Sequence, residues 1–407
     1  MKQADGSFLL SGEKMWISNG GFADVFIVFA KVDGELFTAF IVERQWPGVS
    51  SGKEEHKLGL HGSSTTPIIL QEVKVPADAV LGEVGKGFKV AMSILNNGRT
   101  GLGGGAVGGI KALIRMAGRQ AQERRQFGRP IGEFGLVRAK LAQMTVDCFA
   151  AESAVWMVAH YIDEGSEDYS TEAAISKVFA SEAMQRSAYE ALQIAAGAGF
   201  MRELPYEQFA RDARILPIFE GTNEILRLYV ALSCLKDVGE KLTELKSAAA
   251  AIFNHPIKGF GLMSDYAERR FAQATGVGRD RVRHPLPAPL RPLAVDYEKY
   301  ATRLASAADE ALRTLGKRVA DDQAFQKRIA DVLIDLFVGL CVISRADAIA
   351  RTDPGSADQV YHIAKVFTRQ ARQRISRNLR RITHNDDAAM DRIAAHALER
   401  GYAWDVI

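Results

Sequence analysis

The feature that most constrains this fold is a change of hydrophobic period near Gly85. Before it, Phe8 to Leu10, Lys14 to Ser18, Val25 to Lys31, Leu36 to Val42 and Ile68 to Val75 are short, rich in aromatic and β-branched residues, and separated by turn residues, as strands are. Asp33-Gly34 between two of them signals a hairpin. After Gly85 the spacing becomes helical, as in Ile175, Val178, Phe179 and Ala183, and it stays so to about Val238. A stretch with prolines at 256, 285, 287, 289 and 292 reads as a linker, and a second helical region follows. There Ile329, Val332, Leu333, Leu336, Leu340 and Ile343 share one helix face, the spacing of a buried stripe. The expected class is therefore α+β, mainly α. Its expected parts are a partial β-barrel or sheet domain at 1–84, a helical domain at 85–245, a linker at 246–293 and an additional C-terminal helical domain at 294–407.

Composition narrows the function. A chain of 407 residues that is 47% hydrophobic and 25% charged can bury a substantial core. Its net charge of +3 gives no global pull toward nucleic acid, which is not an expected partner. Cys148, Cys234 and Cys341 are odd in number and far apart, which fits a reducing compartment better than a disulfide framework. The eight histidines show no ligand spacing, so no metal is expected. The longest apolar run, Val25 to Ala30, is too short to cross a bilayer, and the expected location is cytoplasmic or matrix-like. Gly103 to Gly108 formally matches GxGxxG, but the motif binds dinucleotides between a strand and a helix, and here it lies inside a helical stretch. The plainer reading is a helix whose small residues let neighbouring backbones approach.

Glu220 follows the apolar run Ile215-Leu216-Pro217-Ile218-Phe219 and precedes Gly221. Burial would raise its pKa and suit it to abstract a proton; on these residues alone, a solvated or capping glutamate at a helix start is the plainer reading. A family resemblance changes the balance. Phe219-Glu220-Gly221-Thr222-Asn223-Glu224-Ile225 resembles the acyl-CoA dehydrogenase motif in which the glutamate removes the α-proton of an acyl thioester. Met15-Trp16-Ile17-Ser18 resembles the segment that lies against the flavin ring. Arg124-Arg125-Gln126-Phe127-Gly128 is similar to the element whose arginine binds the FAD pyrophosphate of the neighbouring subunit. Gln193 and Gly197 match a segment at the adenosine half of that FAD, and Asn96-Asn97-Gly98-Arg99 matches a substrate-side turn.

The resemblance implies a four-helix-bundle domain after the sheet domain, and FAD as cofactor. It assigns Glu220 as base, and Trp16, Ile17, Ser18, Arg124, Gln126, Phe127, Gln193, Gly197, Thr222 and Glu224 as cofactor contacts. Asn96, Asn97, Gly98, Arg99, Phe219 and Gly221 become substrate contacts. The implied reaction turns an acyl-CoA into a trans-2-enoyl-CoA in fatty acid β-oxidation. Electrons pass from the flavin to an electron-transferring flavoprotein, and the working unit is a homodimer. Some relatives place their base near Gly98, where Asn96, Asn97 and Gly98 offer no carboxylate. The extra helical domain and Phe134-Gly135-Leu136 resemble the very-long-chain branch, although many relatives outside it carry a flavin-contacting glutamine at Gly135. In that branch the extra domain helps hold the enzyme at a membrane surface. Ile252 to Phe271, and the six arginines from Arg369 to Arg381, could serve peripheral membrane contact or be solvated basic faces.

Family members begin with an N-terminal helical domain, whereas fifteen residues precede Trp16 here, so a chain without that domain is expected. Two roles stand side by side. One is a dehydrogenase; the other is a catalytically incompetent fragment that acts as a protein- or membrane-interaction module, as one branch relative does in assembling a respiratory complex.

Overall fold

The structure is a computed structural model and describes residues 1–166, 168–235 and 285–402. It divides into two compact units. The first is Met1–Arg138 with Met184–Glu220, and the second is Ala139–Ala183 with the described chain from Gly221 onward.

In the first unit, β1 (Phe8–Ser18), β5 (Thr65–Val75) and β4 (Val49–Ser51) form one antiparallel sheet in the order β1-β5-β4. A second antiparallel sheet has the order β2 (Val25–Val32), β3 (Leu36–Glu43) and β6 (Val80–Leu81). Asp33-Gly34 forms the β2–β3 turn as the sequence anticipates, both residues at positive φ. The inward-facing residues of both sheets make one core, with Phe8 and Phe40 meeting edge to face at 5.2 Å. This is the partial sheet domain expected; among the described residues there is no closed barrel. β4 is three residues long and β6 two, so neither can continue its sheet around.

Helix α1 (Gly87–Glu123) then runs without interruption through the six-residue glycine-rich match at 103–108, which is therefore not a strand-to-helix turn. Its buried positions Gly103, Val107, Ile110, Leu113, Ala117 and Ala121 keep to one face. The chain continues through the hairpin β7 (Arg125–Gln126) and β8 (Arg129–Pro130), α2 (Gly135–Asp163), α3 (Ser170–Ala195), α4 (Gly197–Phe200) and α5 (Tyr206–Ala213).

In the second unit, α6 occupies residues 223–235. Most of the expected linker, including Ile252 to Phe271, lies outside the described residues; at its end Pro292 stands in the first turn of α7 (Arg291–Leu315), where its missing N–H costs nothing. α8 (Gln323–Thr352), α9 (Ala357–Arg381) and α10 (Asp387–Arg400) follow, and the Asp322 side chain caps α8 by accepting from Phe325 N at 2.9 Å. α8 differs from the single stripe expected: Leu340 is exposed and Leu333 half-buried, while Ile334, Val338 and Val342 are buried. The cause is its place between α7 and α9, which burdens two faces rather than one. Of the arginine run on α9, Arg374 pairs with buried Asp335 at 2.7 Å and Arg372 lies 3.5 Å from Asp296, so part of that basic patch serves packing. Burial pushes the Asp335 carboxyl up, and Arg374 partly offsets it. No helix among the described residues is long and apolar enough to cross a membrane.

Candidate active site

A cavity of about 400 Å³ opens in the first unit. Gly98, Leu102, Gly105, Ala106 and Gly109 form its α1 wall, at the spacing of one helix face. Met184, Phe209, Asp212, Ala213, Leu216, Phe219 and Leu60 complete it together with Glu220. The lining is apolar apart from the two carboxylates, a surface suited to a hydrocarbon chain beside a proton acceptor.

Glu220 is set by an unusual turn. Its φ is +58° and that of Gly221 +90°, two successive left-handed residues, which is strained for a glutamate and easy for the glycine. Gly98 faces the carboxylate so closely that a Cβ there would sit 2.9 Å from Oε2 and 3.3 Å from Cδ. Buried Arg99 donates from Nε to the Glu220 carbonyl at 3.4 Å and from Nη1 to Asn96 Oδ1 at 3.1 Å. Glu220 itself is half-buried rather than sealed as its apolar run suggested, because Ile218 and Phe219 of that run are themselves exposed. The Asn96-Asn97-Gly98-Arg99 segment is corrected too: it lies inside α1, not in a turn. The i, i+3 bond from Arg99 to Asn96 and the buried face of α1 favour helix there over the local Asn-Gly signal.

The loop carrying Leu60 is fastened to α5. Leu60, at φ +52°, donates its N–H to Asp212 Oδ1 at 2.6 Å, and Arg211 Nη1 donates to the Leu58 carbonyl at 3.0 Å. Arg211 is held by Glu207 at 2.6 Å, and that hydrogen bond keeps the Glu207 carboxyl below its usual range. At the loop's other end Glu54 accepts from Ser64 Oγ and Thr65 N, which lowers its carboxyl as well.

In the second unit, Thr222 caps α6 by accepting from Ile225 N at 3.3 Å, while Glu224 is exposed. Lys177 on α3 and Asn223, neither singled out by the sequence, hold the residues after Glu220, and Arg227 joins Glu182 at 2.8 Å to Asp331 at 2.7 Å. Burial alone would lower the Arg227 guanidinium, but the two carboxylates outweigh it and hold it above its ordinary value.

The other expected positions lie elsewhere and do not line the cavity. Met15 and Trp16 stand together against Pro67 in the β1–β5 ladder, between the pairs Lys14–Ile68 and Ile17–Thr66. Proline has no N–H to pair, so β1 bulges, Trp16 takes φ +57°, and its indole turns outward to 72% exposure. Ile17 and Ser18 resume the ladder opposite Thr66 and Thr65. Arg124 ends α1; Gln126 lies on β7; Phe127 and Gly128, both at positive φ, make the two-residue hairpin turn, leaving Phe127 92% exposed. Gln193 is exposed near the end of α3, and Gly197 opens α4.

Comparisons with known proteins give the family. Residues 1–73 match the family model "Acyl-CoA dehydrogenase, middle domain", 85–235 match "Acyl-CoA dehydrogenase, C-terminal domain", and 288–402 match "ACAD9/ACADV, C-terminal domain". The structure aligns with the crystal structure of an acyl-CoA dehydrogenase complexed with FAD from Bacillus anthracis, with TM-score 0.82 and 31% identity over 98% of this chain and 68% of that one. The chain belongs to the acyl-CoA dehydrogenase family. Within it, the very long-chain specific acyl-CoA dehydrogenase of rat mitochondria is 39% identical over 392 residues, 93% of this chain and 59% of that protein, so this chain spans somewhat over half the length of that curated relative. A third similarity is to a chain in a structure of the electron transferring flavoprotein of Acidaminococcus fermentans, with 36% identity and TM-score 0.55 over 57% of this chain and 62% of that one. The acyl-CoA dehydrogenase match at 85–235 contains Gly98, Arg99, Arg124, Gln193 and Glu220.

Proposed function

We propose that this chain carries the catalytic centre of an FAD-dependent dehydrogenase of long-chain acyl-CoA thioesters, with Glu220 as base. The observation that carries the reading is Glu220 lining an apolar cavity, with its carboxylate facing a helix position that has no side chain. The α-proton of a thioester leaves reluctantly, so a base must be held in place and the enolate oxygen stabilised as charge develops. Glu220 takes the proton, and its own backbone N–H is the donor we assign to the thioester oxygen. Arg99, through the Glu220 carbonyl, keeps this peptide in register with α1. The apolar α1 wall, with Phe219 and Leu216, holds the acyl chain and excludes water.

The residues fit FAD. The bulge opposite Pro67 presents the indole of Trp16 as a flat exposed surface, and Arg124 and Gln193 are exposed polar groups suited to phosphate and adenosine. When bound, FAD supplies the acceptor for the hydride that leaves the β-carbon, giving a trans-2-enoyl-CoA. Ile17, Ser18, Gln126, Phe127, Gly197, Thr222 and Glu224 are the further cofactor contacts we assign, and Asn96, Asn97 and Gly221 the further substrate contacts. Exposed Phe127 and Leu136 favour pairing with a second copy, and an electron-transferring flavoprotein is the acceptor consistent with the similarities. A mitochondrial relative supports a matrix-like location, and the exposed arginines of α9 would serve peripheral membrane contact.

The test is the visible spectrum of the purified chain with FAD and then palmitoyl-CoA. Flavin retained on the protein and bleached by the thioester is the expected result. A chain that takes up no flavin, yet still self-associates, overturns the catalytic reading in favour of an interaction module.

A further inference from the structure

Lys177 lies in the middle of α3 with no solvent exposure at all. A buried ammonium is costly unless its donors are satisfied, and an apolar residue would pack in its place without that cost. Its Nζ donates to the Gly221 carbonyl at 2.8 Å and to Asn223 Oδ1 at 2.9 Å. The first acceptor belongs to the turn that immediately follows Glu220, and the second to the first turn of α6 just after it.

That turn needs holding. Glu220 and Gly221 are both left-handed, and a glycine next to the reacting carboxylate gives the backbone freedom to swing. Asn223 is in turn fixed from its other end, donating from Nδ2 to Ser181 Oγ at 3.0 Å and to Glu182 Oε1 at 3.2 Å. Glu182 is gripped by Arg227, whose Nε reaches Asp331 of α8 at 2.7 Å. The clamp therefore rests on two helices rather than on one flexible side chain.

We propose that Lys177 is a positioning residue for the base: by fixing the Gly221 carbonyl and the Asn223 side chain, its ammonium sets where the Glu220 carboxylate stands. The inference rests on Glu220 being the base, and it assigns Lys177 no contact with substrate or flavin. Displacing a reacting group by about 1 Å can cost on the order of 100-fold in rate, so the signature is a loss in kcat with KM nearly kept.

The experiment compares the FAD-loaded full chain with its Lys177→Met variant, using palmitoyl-CoA as substrate and hydrogen exchange of residues 218–224 as a second readout. Expected are a fall in kcat of about 10- to 100-fold, little change in KM, and faster exchange confined to 218–224. Ser187→Ala, which removes another buried hydroxyl from α3, should change neither. Should Lys177→Met not fold, Lys177→Arg keeps a buried cation with altered reach and is expected to give the same kcat-selective loss. A wild-type chain without turnover, but with the local exchange effect on substitution, removes the dehydrogenase reading and leaves the clamp. An active wild type whose Lys177 variants keep both kcat and the exchange of 218–224 overturns the positioning role.

Discussion

α1 and α3 both carry runs of small residues, and the two runs do opposite things. On α3, Ala173, Ala174, Ala180, Ala183 and Ala191 are fully buried, so each missing methylene is space already taken by a neighbour. On α1, a Cβ added at Gly101, Gly104, Gly105 or Gly108 would meet no described atom of the chain within 4 Å, whereas one at Gly98 would crowd Glu220. Within the 103–108 stretch, Gly104, Gly105 and Gly108 thus have no neighbouring backbone close by among the described residues. Small residues at helical spacing say that something must be accommodated, but not whether it is another helix, a reacting side chain or open volume.

The largest effect that would break this contrast is at Gly98. Gly98→Ala should lower turnover of the FAD-loaded chain by about 10- to 100-fold, because its Cβ displaces the Glu220 carboxylate, while thermal stability is kept or raised. Activity at the wild-type level would show that the close approach is not functional. Next comes Ala180→Leu on α3, expected to cost about 1–3 kcal/mol by overpacking and read as a lower Tm. Gly104→Ala on α1 should do the reverse and gain about 0.5–1 kcal/mol from helix propensity, since its new methyl meets nothing. A destabilised Gly104→Ala would mean that the open face of α1 is packed in solution.

The smallest effect concerns the loop whose Leu60 lines the cavity. Glu207 and Glu54 both titrate below their ordinary values in the fold, through hydrogen bonds to Arg211 and to Ser64 respectively. Groups of this sign contribute stability that is present above the unfolded value of about 4.3 and lost as pH falls through the folded value. Proteolysis of the 56–64 loop should therefore accelerate between about pH 4.5 and about pH 3, before the core helices open. A loop equally resistant until global unfolding would show that these bonds do not hold it.

Much of this was legible in the sequence, and the exceptions have physical causes. The β-to-α switch, the Asp33-Gly34 hairpin and the helix through Gly103–Gly108 follow from local pattern, which the fold obeys. Glu220 was legible through motif resemblance; its exposure was not, because an apolar run does not reveal which of its own members face solvent. The Trp16 bulge depends on Pro67, some fifty residues away in sequence, and is visible once the β1–β5 register is known. Lys177 did leave a signal, a lone cation in the run Ala173 to Ala180, but a helical wheel cannot say that the acceptor waiting for it is the carbonyl of Gly221. Asp212 and Leu60 meet across the chain and had no local pattern at all.

The most direct test of Glu220 as base is the rate of flavin reduction on rapid mixing of the FAD-loaded chain with palmitoyl-CoA, measured for wild type and for Glu220→Gln. Equal flavin binding with reduction slowed by about 10²–10⁴-fold in the variant is the predicted result. Reduction at the wild-type rate in Glu220→Gln would contradict it, and would move the search for the base to another carboxylate of the cavity, Asp212.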